Sequence, residues 1–209
     1  MEHKKWFVSD LHFFHHNILK FTKRPYEDVL SMHEGIVEEW NKVVAREDAV
    51  YHLGDLSFKN KGDQLPLYDI LNQLNGTIVC LKGNHDHSNL WAAHRKAQED
   101  GVLRKGIKFV DSPYMEIKWK KRKLILSHYP IVCWNGQHHG TLHLHGHTHN
   151  NLGIDLGKAM DVGYDALWEN HQLKHPIEFD QMIEILDKRE AVFYDHHGEL
   201  RLRGNKNES

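Results

Sequence analysis

Cysteine is scarce in this chain: Cys80 and Cys133 are the two among 209 residues. No C-x-x-C pair occurs, which excludes a disulfide-rich scaffold and a thiolate metal site. Cys80 lies in the apolar run TIVCL and reads as a small buried hydrophobe. No stretch approaches eighteen apolar residues, so no membrane-spanning helix is expected. Net charge is also small, at −2, and gives no global positive field to draw the chain to nucleic acid or an anionic membrane. The opening MEHKKWFVSD enters a strand-like run at once, so no signal peptide and a cytoplasmic location are expected. Without repeats, low-complexity tracts or a linker, residues 1–209 read as one domain whose last residues, GNKNES, fray.

What the chain has in excess is histidine, with 20 residues. Histidine is the commonest metal ligand and a frequent acid or base. In LHLHGHTHN (142–150) it recurs at 143, 145, 147 and 149, a spacing that places all four side chains on one face of a continuous strand. Apolar runs of strand length also occur at 6–10, 49–55, 77–84 and 123–128, and their near-continuous apolar character predicts strands buried on both faces. A 3.6-residue period predicts a helix from Tyr26 to Val44, with Leu30 on its apolar stripe. Further helices are predicted around Leu67–Leu74, with Gly76 as its left-handed stop, around Leu90–Glu99 and over 179–189. A late hairpin joins AVFY to LRLR. The alternation predicts an α/β fold with a mixed sheet.

In open α/β sheets, sites form where loops leave the carboxyl ends of strands. Those positions here carry Asp10 and His12 in SDLH, Asp55 in HLGDLS, Asn84 and His85 in KGNHDH, His128 in LSHYP, and His147 and His149 in GHTH. Such a nitrogen-and-oxygen set suits a divalent transition ion better than calcium or an iron–sulfur cluster. The ordered series D-x-H, G-D, G-N-H-D, H and G-H-x-H resembles the calcineurin-like metallophosphoesterases, from Asp10 to His149. The phrases DLHFFHHNIL, RPY and YHLGD are similar to a small stand-alone bacterial and phage branch of that superfamily.

The resemblance implies a four-layer sandwich, two mixed β-sheets packed face to face and flanked by helices, with a dinuclear centre at the strand ends. It implies that Asp10, His12 and His149 hold one ion, that Asn84, His128 and His147 hold the other, and that Asp55 bridges them. A carboxylate can span ions roughly 3.5–4 Å apart and offset their repulsion. The ions would be manganese, iron, zinc or nickel, with manganese favoured, and a hydroxide bridging them would attack phosphorus. His85 resembles the family's non-ligand histidine, a general acid or a donor to a phosphate oxygen, with Asp86 orienting a loop or an imidazole. The implied activity is phosphoester hydrolysis, with a phosphodiester of nucleotide or cyclic-nucleotide type favoured. A nuclease or monoesterase acting on nucleic-acid ends and a non-catalytic phosphate-binding module are the alternatives.

Several residues stand at the edge of this set. A helical turn after His12 would bring His16 and Asn17 to the site as substrate contacts, and Arg24 could clamp a phosphate. His143 and His145 match no ligand position and are expected behind the ligands or on the sheet face. The basic run KWKKRK (118–123) reads as a solvated hairpin turn. Trp134, His138 and His139 would line the rim or pack as a loop on the core. The chain is expected as a monomer or homodimer.

Overall fold

Strands β1 (Lys5–Val8), β2 (Ala49–His52) and β3 (Thr77–Cys80) form in three of the apolar runs and pair in parallel. Residues 3–59, 62–194 and 200–202 are described in this computed structural model. Strand β4 (Ile107–Phe109) joins β3 in parallel, and β9 (Ile177–Glu178) joins β1 antiparallel. The first sheet therefore has the order β4-β3-β2-β1-β9.

The second sheet has four strands and is also mixed. β5 (Tyr114–Trp119) and β6 (Arg122–Ser127) form an antiparallel hairpin, and β7 (Leu142–His145) and β8 (Ala159–Asp161) follow in parallel. The hairpin turns at Lys120 and Lys121, both at positive φ, so the basic run is the expected turn. Its charges are balanced locally: Lys120 meets Asp180 at 2.7 Å, Lys123 meets Glu116 at 2.6 Å, and Arg122 meets Asp187.

Leu124, Leu126, Leu142 and Leu144 of this sheet share one buried cluster with Phe7, Val8, Val50 and Ile78 of the first, so the two sheets pack face to face. On the other side of the second sheet, Ile125 and Ala159 are covered by Trp134 and Leu156. Trp134 thus belongs to the packed loop, and its indole N–H donates to the Thr141 carbonyl at 2.9 Å.

Helix α1 (Ile18–Phe21) is a single turn. Helix α2 (Val29–Val43) starts three residues later than the periodicity suggests, because the Asp28 side chain accepts from Ser31 N at 2.8 Å and closes a capping box. It buries Val29, Met32, His33, Ile36 and Trp40, while Leu30 points outward and is 64% exposed. Helices α3 (Leu65–Gln73), α4 (Ser88–Glu99) and α6 (Phe179–Asp187) lie where expected within a few residues. Gly76 takes φ 84°, but beyond Asn75, in the turn that enters β3. Helix α5 (Tyr164–His171) lacks a clear apolar period and was not anticipated. Strands β10 (Val192–Tyr194) and β11 (Leu200–Leu202) form the late hairpin, and the GNKNES tail lies outside the described residues. Cys80 is buried and Cys133 exposed, both as free thiols. Among the described residues no helix is long and apolar enough to cross a membrane.

Candidate metal centre

The carboxyl ends of β1, β2 and β3 meet those of β6 and β7 along one rim. Backbone hydrogen bonds fix the loops there: Asp10 N donates to Gly54 O at 3.0 Å, Ser9 N to Val162 O at 2.8 Å, and Gly146 N to His128 O at 3.0 Å. β7 ends at His145, so the period-two alternation stops before the last two histidines. His143 and His145 share a strand face, with ring centroids 5.4 Å apart, whereas His147 and His149 project from the following turn. Asp10, His12, Asp55, His147 and His149 all have left-handed backbone, with φ between 46° and 69°. Each such non-glycine residue costs on the order of 1–2 kcal/mol, and such strain clusters at functional sites.

The side chains converge closely. His12 Nε2 lies 3.7 Å from both Asp10 Oδ1 and Asp55 Oδ2. His128 Nε2 lies 3.5 Å from Asp55 Oδ2 and 2.7 Å from Asn84 Oδ1, which His147 Nδ1 approaches at 2.8 Å. One ligand atom each from Asp10, His12 and His149 falls within a 4.8 Å cluster, as does one each from Asp10, Asp55 and His128. Asp10 is common to both clusters, while one oxygen of Asp55 faces histidines of both expected sets.

The donor set fits a cation on grounds other than proximity. Asp10 Oδ1 and both ring nitrogens of His12 are buried and have no hydrogen-bond partner. Burying such groups unpaired costs about 1–3 kcal/mol each, and coordination would relieve it for Asp10 Oδ1 and for one nitrogen of His12. The backbone also leaves room for them. At Gly83 a Cβ would collide with Asp55, and at Gly146 with Ser9 and the Asp10 carboxylate, so glycine is what lets these loops close on the acids.

Charge is distributed accordingly. Burial opposes ionisation of Asp10 and Asp55, yet the surrounding imidazoles outweigh it and hold both carboxyls below their ordinary range. Burial likewise opposes protonation of His128, but Asp55 and Asp10 raise its pKa. Asp86 behaves differently: burial pushes its carboxyl up to about 7. It accepts from Asp55 N at 2.8 Å, Gly83 N at 2.9 Å and Leu56 N at 3.2 Å, and so ties the loop after β2 to the loop after β3.

The sequence profile of the calcineurin-like phosphoesterases matches residues 3–208. The chain belongs to that family. This phosphoesterase is 30% identical over 196 residues to an uncharacterized protein of Methanocaldococcus jannaschii, covering 90% of this chain and 94% of that one. It is 26% identical to the Gene 66 protein of Mycobacterium phage L5, over 77% of this chain and 86% of the phage protein. Its fold is similar to that of a protein of unknown function from Aquifex aeolicus, with a TM-score of 0.61 at 22% identity over 88% of this chain and all of that one.

Two expectations at the edge of the phosphoesterase site are corrected by the structure. Arg24 is buried, and its guanidinium is fully engaged. It grips both carboxylate oxygens of Asp165 at 2.8 and 2.9 Å, donates to Leu11 O at 2.8 Å and Asp10 O at 2.7 Å, and reaches Met32 Sδ at 3.5 Å. No N–H remains for a phosphate. His16 and Asn17 are exposed, because Phe13 bridges to Ser57 instead of continuing into a helix, and α1 begins only at Ile18. The histidine brought against His12 is His15, at 5.3 Å between ring centroids.

Asp165 is the residue that sequence reasoning missed. It is buried, clamped by Arg24, and its Oδ2 meets His149 Nδ1 at 2.6 Å. His85 adjoins the same acid: its backbone N–H donates to Asp55 Oδ1 at 2.8 Å and its Nε2 is 4.0 Å from Asp55 Oδ2. His143 carries structure, its Nε2 accepting from Ile131 N at 3.0 Å and its Nδ1 facing Ile125 O at 3.2 Å.

Proposed function

We propose that this single-domain phosphoesterase hydrolyses phosphodiesters of small, nucleotide-type substrates with two divalent cations, manganese favoured over iron, zinc or nickel. The observation that carries this reading is the set of buried, partnerless donors on Asp10 and His12, gathered with Asp55 where the two sheets meet. Asp10, His12 and His149 would hold one ion, Asn84, His128 and His147 the other, with Asp55 facing both. Bound there, the cations supply Lewis acidity to phosphate oxygens and make water a competent nucleophile near neutral pH.

The remaining work falls to the protein. His85 stands at the mouth, half-buried, with its backbone anchored on Asp55. From there its ring delivers a proton to the departing alkoxide, a contribution of roughly 10²–10⁴-fold in such systems. Asp165 accepts from His149 Nδ1 and thereby fixes the tautomer that leaves Nε2 free for coordination. Arg24 holds Asp165 and the Asp10 carbonyl together, so a single guanidinium sets two ligand loops. The diester preference rests on the family. The nuclease reading is disfavoured because the one basic run is offset by acidic neighbours.

A substrate panel with manganese tests this: model mono- and diesters, cyclic nucleotides, dinucleotides and oligonucleotides. Turnover of small diesters above monoesters, without salt-sensitive affinity for oligonucleotides, is the expected result. Full metal loading with no turnover on any member would leave a phosphate-binding module instead.

A further inference from the structure

The mouth of the centre is not evenly lined. On the His12 and His85 side, four rings form a closed circuit. His12 to His15 is 5.3 Å, His15 to Phe58 is 4.1 Å, Phe58 to His85 is 4.9 Å, and His85 to His12 is 5.6 Å. His15 and Phe58 lie nearly parallel, at 11°. Phe21 extends the wall outward, 6.1 Å from His15. Phe58 is 38% exposed and Phe21 is 72% exposed, so neither ring is consumed by the core.

Scattered exposed apolar residues need no explanation. These two are continuous with each other through His15, and the surface they make ends on a proposed ligand and on the proposed proton donor. A wall of flat rings in that position is chemically matched to a flat ring on the substrate, because stacking tolerates any base and requires only a π-face. Its place beside His85 puts that ring on the ester arm that receives the proton.

We infer that His15, Phe58 and Phe21 form a subsite for a planar aromatic ring, a nucleobase, on the leaving arm of the phosphodiester. This rests on the phosphodiesterase reading above for the identity of the arm. The stacking surface itself does not depend on turnover.

The test separates the two. Affinities of the manganese-loaded protein for adenosine monophosphate and for ribose 5-phosphate are compared by calorimetry, beside turnover of an adenosine-bearing diester and a base-free dialkyl phosphate. The expected result is tighter binding of the nucleotide, with Phe58→Ala weakening it about 5- to 100-fold while ribose 5-phosphate is unaffected. Phe58→Trp should retain the nucleotide affinity and Phe58→Leu should not, which distinguishes stacking from simple apolar area. Equal affinity for the two ligands in the unaltered protein, or equal losses for both in Phe58→Ala, overturns the subsite. Nucleotide preference lost with Phe58, but with no turnover of either diester, keeps the subsite and overturns the hydrolytic reading instead.

Discussion

Asp165 and Arg24 show how far one side chain's role depends on others. The pair spans 141 positions of chain and is buried, with a charge-assisted contact on both carboxylate oxygens. Replacing the carboxylate with an amide leaves Arg24 without its counter-charge and gives His149 a weaker, neutral acceptor. Asp165→Asn should therefore lower metal affinity about 10–100-fold, measured by competitive chelator titration. Unchanged affinity would show that His149 does not need this partner. His85→Ala should behave in the opposite manner, keeping both ions by elemental analysis while kcat falls about 10²–10⁴-fold; undiminished turnover would remove His85 from the proton step. Much of the candidate site was legible because its residues close short apolar runs: SDLH, HLGD, GNHD, SHYP and GHTH each announce a strand end. Asp165 was not, since nothing adjacent to it in GYDAL marks a strand end and its importance arises only through contacts. His15 was displaced by His16 for a related reason. A helical period was extended across Phe13, which the structure spends on a bridge to Ser57.

At the scale of elements, α2 depends on a cap. Asp28 and Ser31 satisfy each other's backbone donors at the exposed start of the helix. Asp28→Ala should cost about 1 kcal/mol, or roughly 2–4 °C in Tm for a chain of this size. A shift below measurement would mean the buried face of Val29, Met32, Ile36 and Trp40 fixes the start unaided. The same contrast explains which elements could be read. Helices α2 and α6 have a strong apolar stripe, and β1 to β3 have near-continuous apolar runs. β4 and β8 are three residues long and gain their identity only from a neighbour already in place. Helix α5 buries Tyr164, Asp165, Ala166 and Leu167 consecutively, a pattern with neither period. The loop glycines belong to this scale too. Gly146→Ala forces a Cβ against Ser9 and Asp10, so metal affinity should fall more steeply than thermal stability of the metal-free protein. A loss in stability alone would contradict that.

For the whole molecule, pH also acts through buried histidines outside the proposed ligand set. His33 accepts the Phe14 N–H at 2.9 Å, so it must be neutral, and burial lowers its pKa to about 4. His94, packed between Trp91 and Phe109, is lowered to about 4 by burial and by Arg95. Folded values below the unfolded 6.5 mean that the native state resists protonation. The contribution of these two residues to stability is complete above pH 6.5 and declines as pH falls from there toward 4, by at most about 1.4 kcal/mol per pH unit for each. Denaturant titrations across that window should show His33→Gln with a shallower slope than the unaltered protein. Identical slopes would mean that His33 already carries its proton in the fold.

The proposed ligands come from both halves of the sandwich. Asp10, His12, Asp55 and Asn84 follow strands of one sheet, while His128, His147 and His149 follow strands of the other. A cation pair seated there would act as a rivet through a seam that backbone contacts such as Ser9 N to Val162 O and His147 N to Asp10 Oδ2 also cross. Chelation would then loosen the joint between the halves before either half melts, and a small slip of one sheet over the other would be felt first as a change in ion affinity.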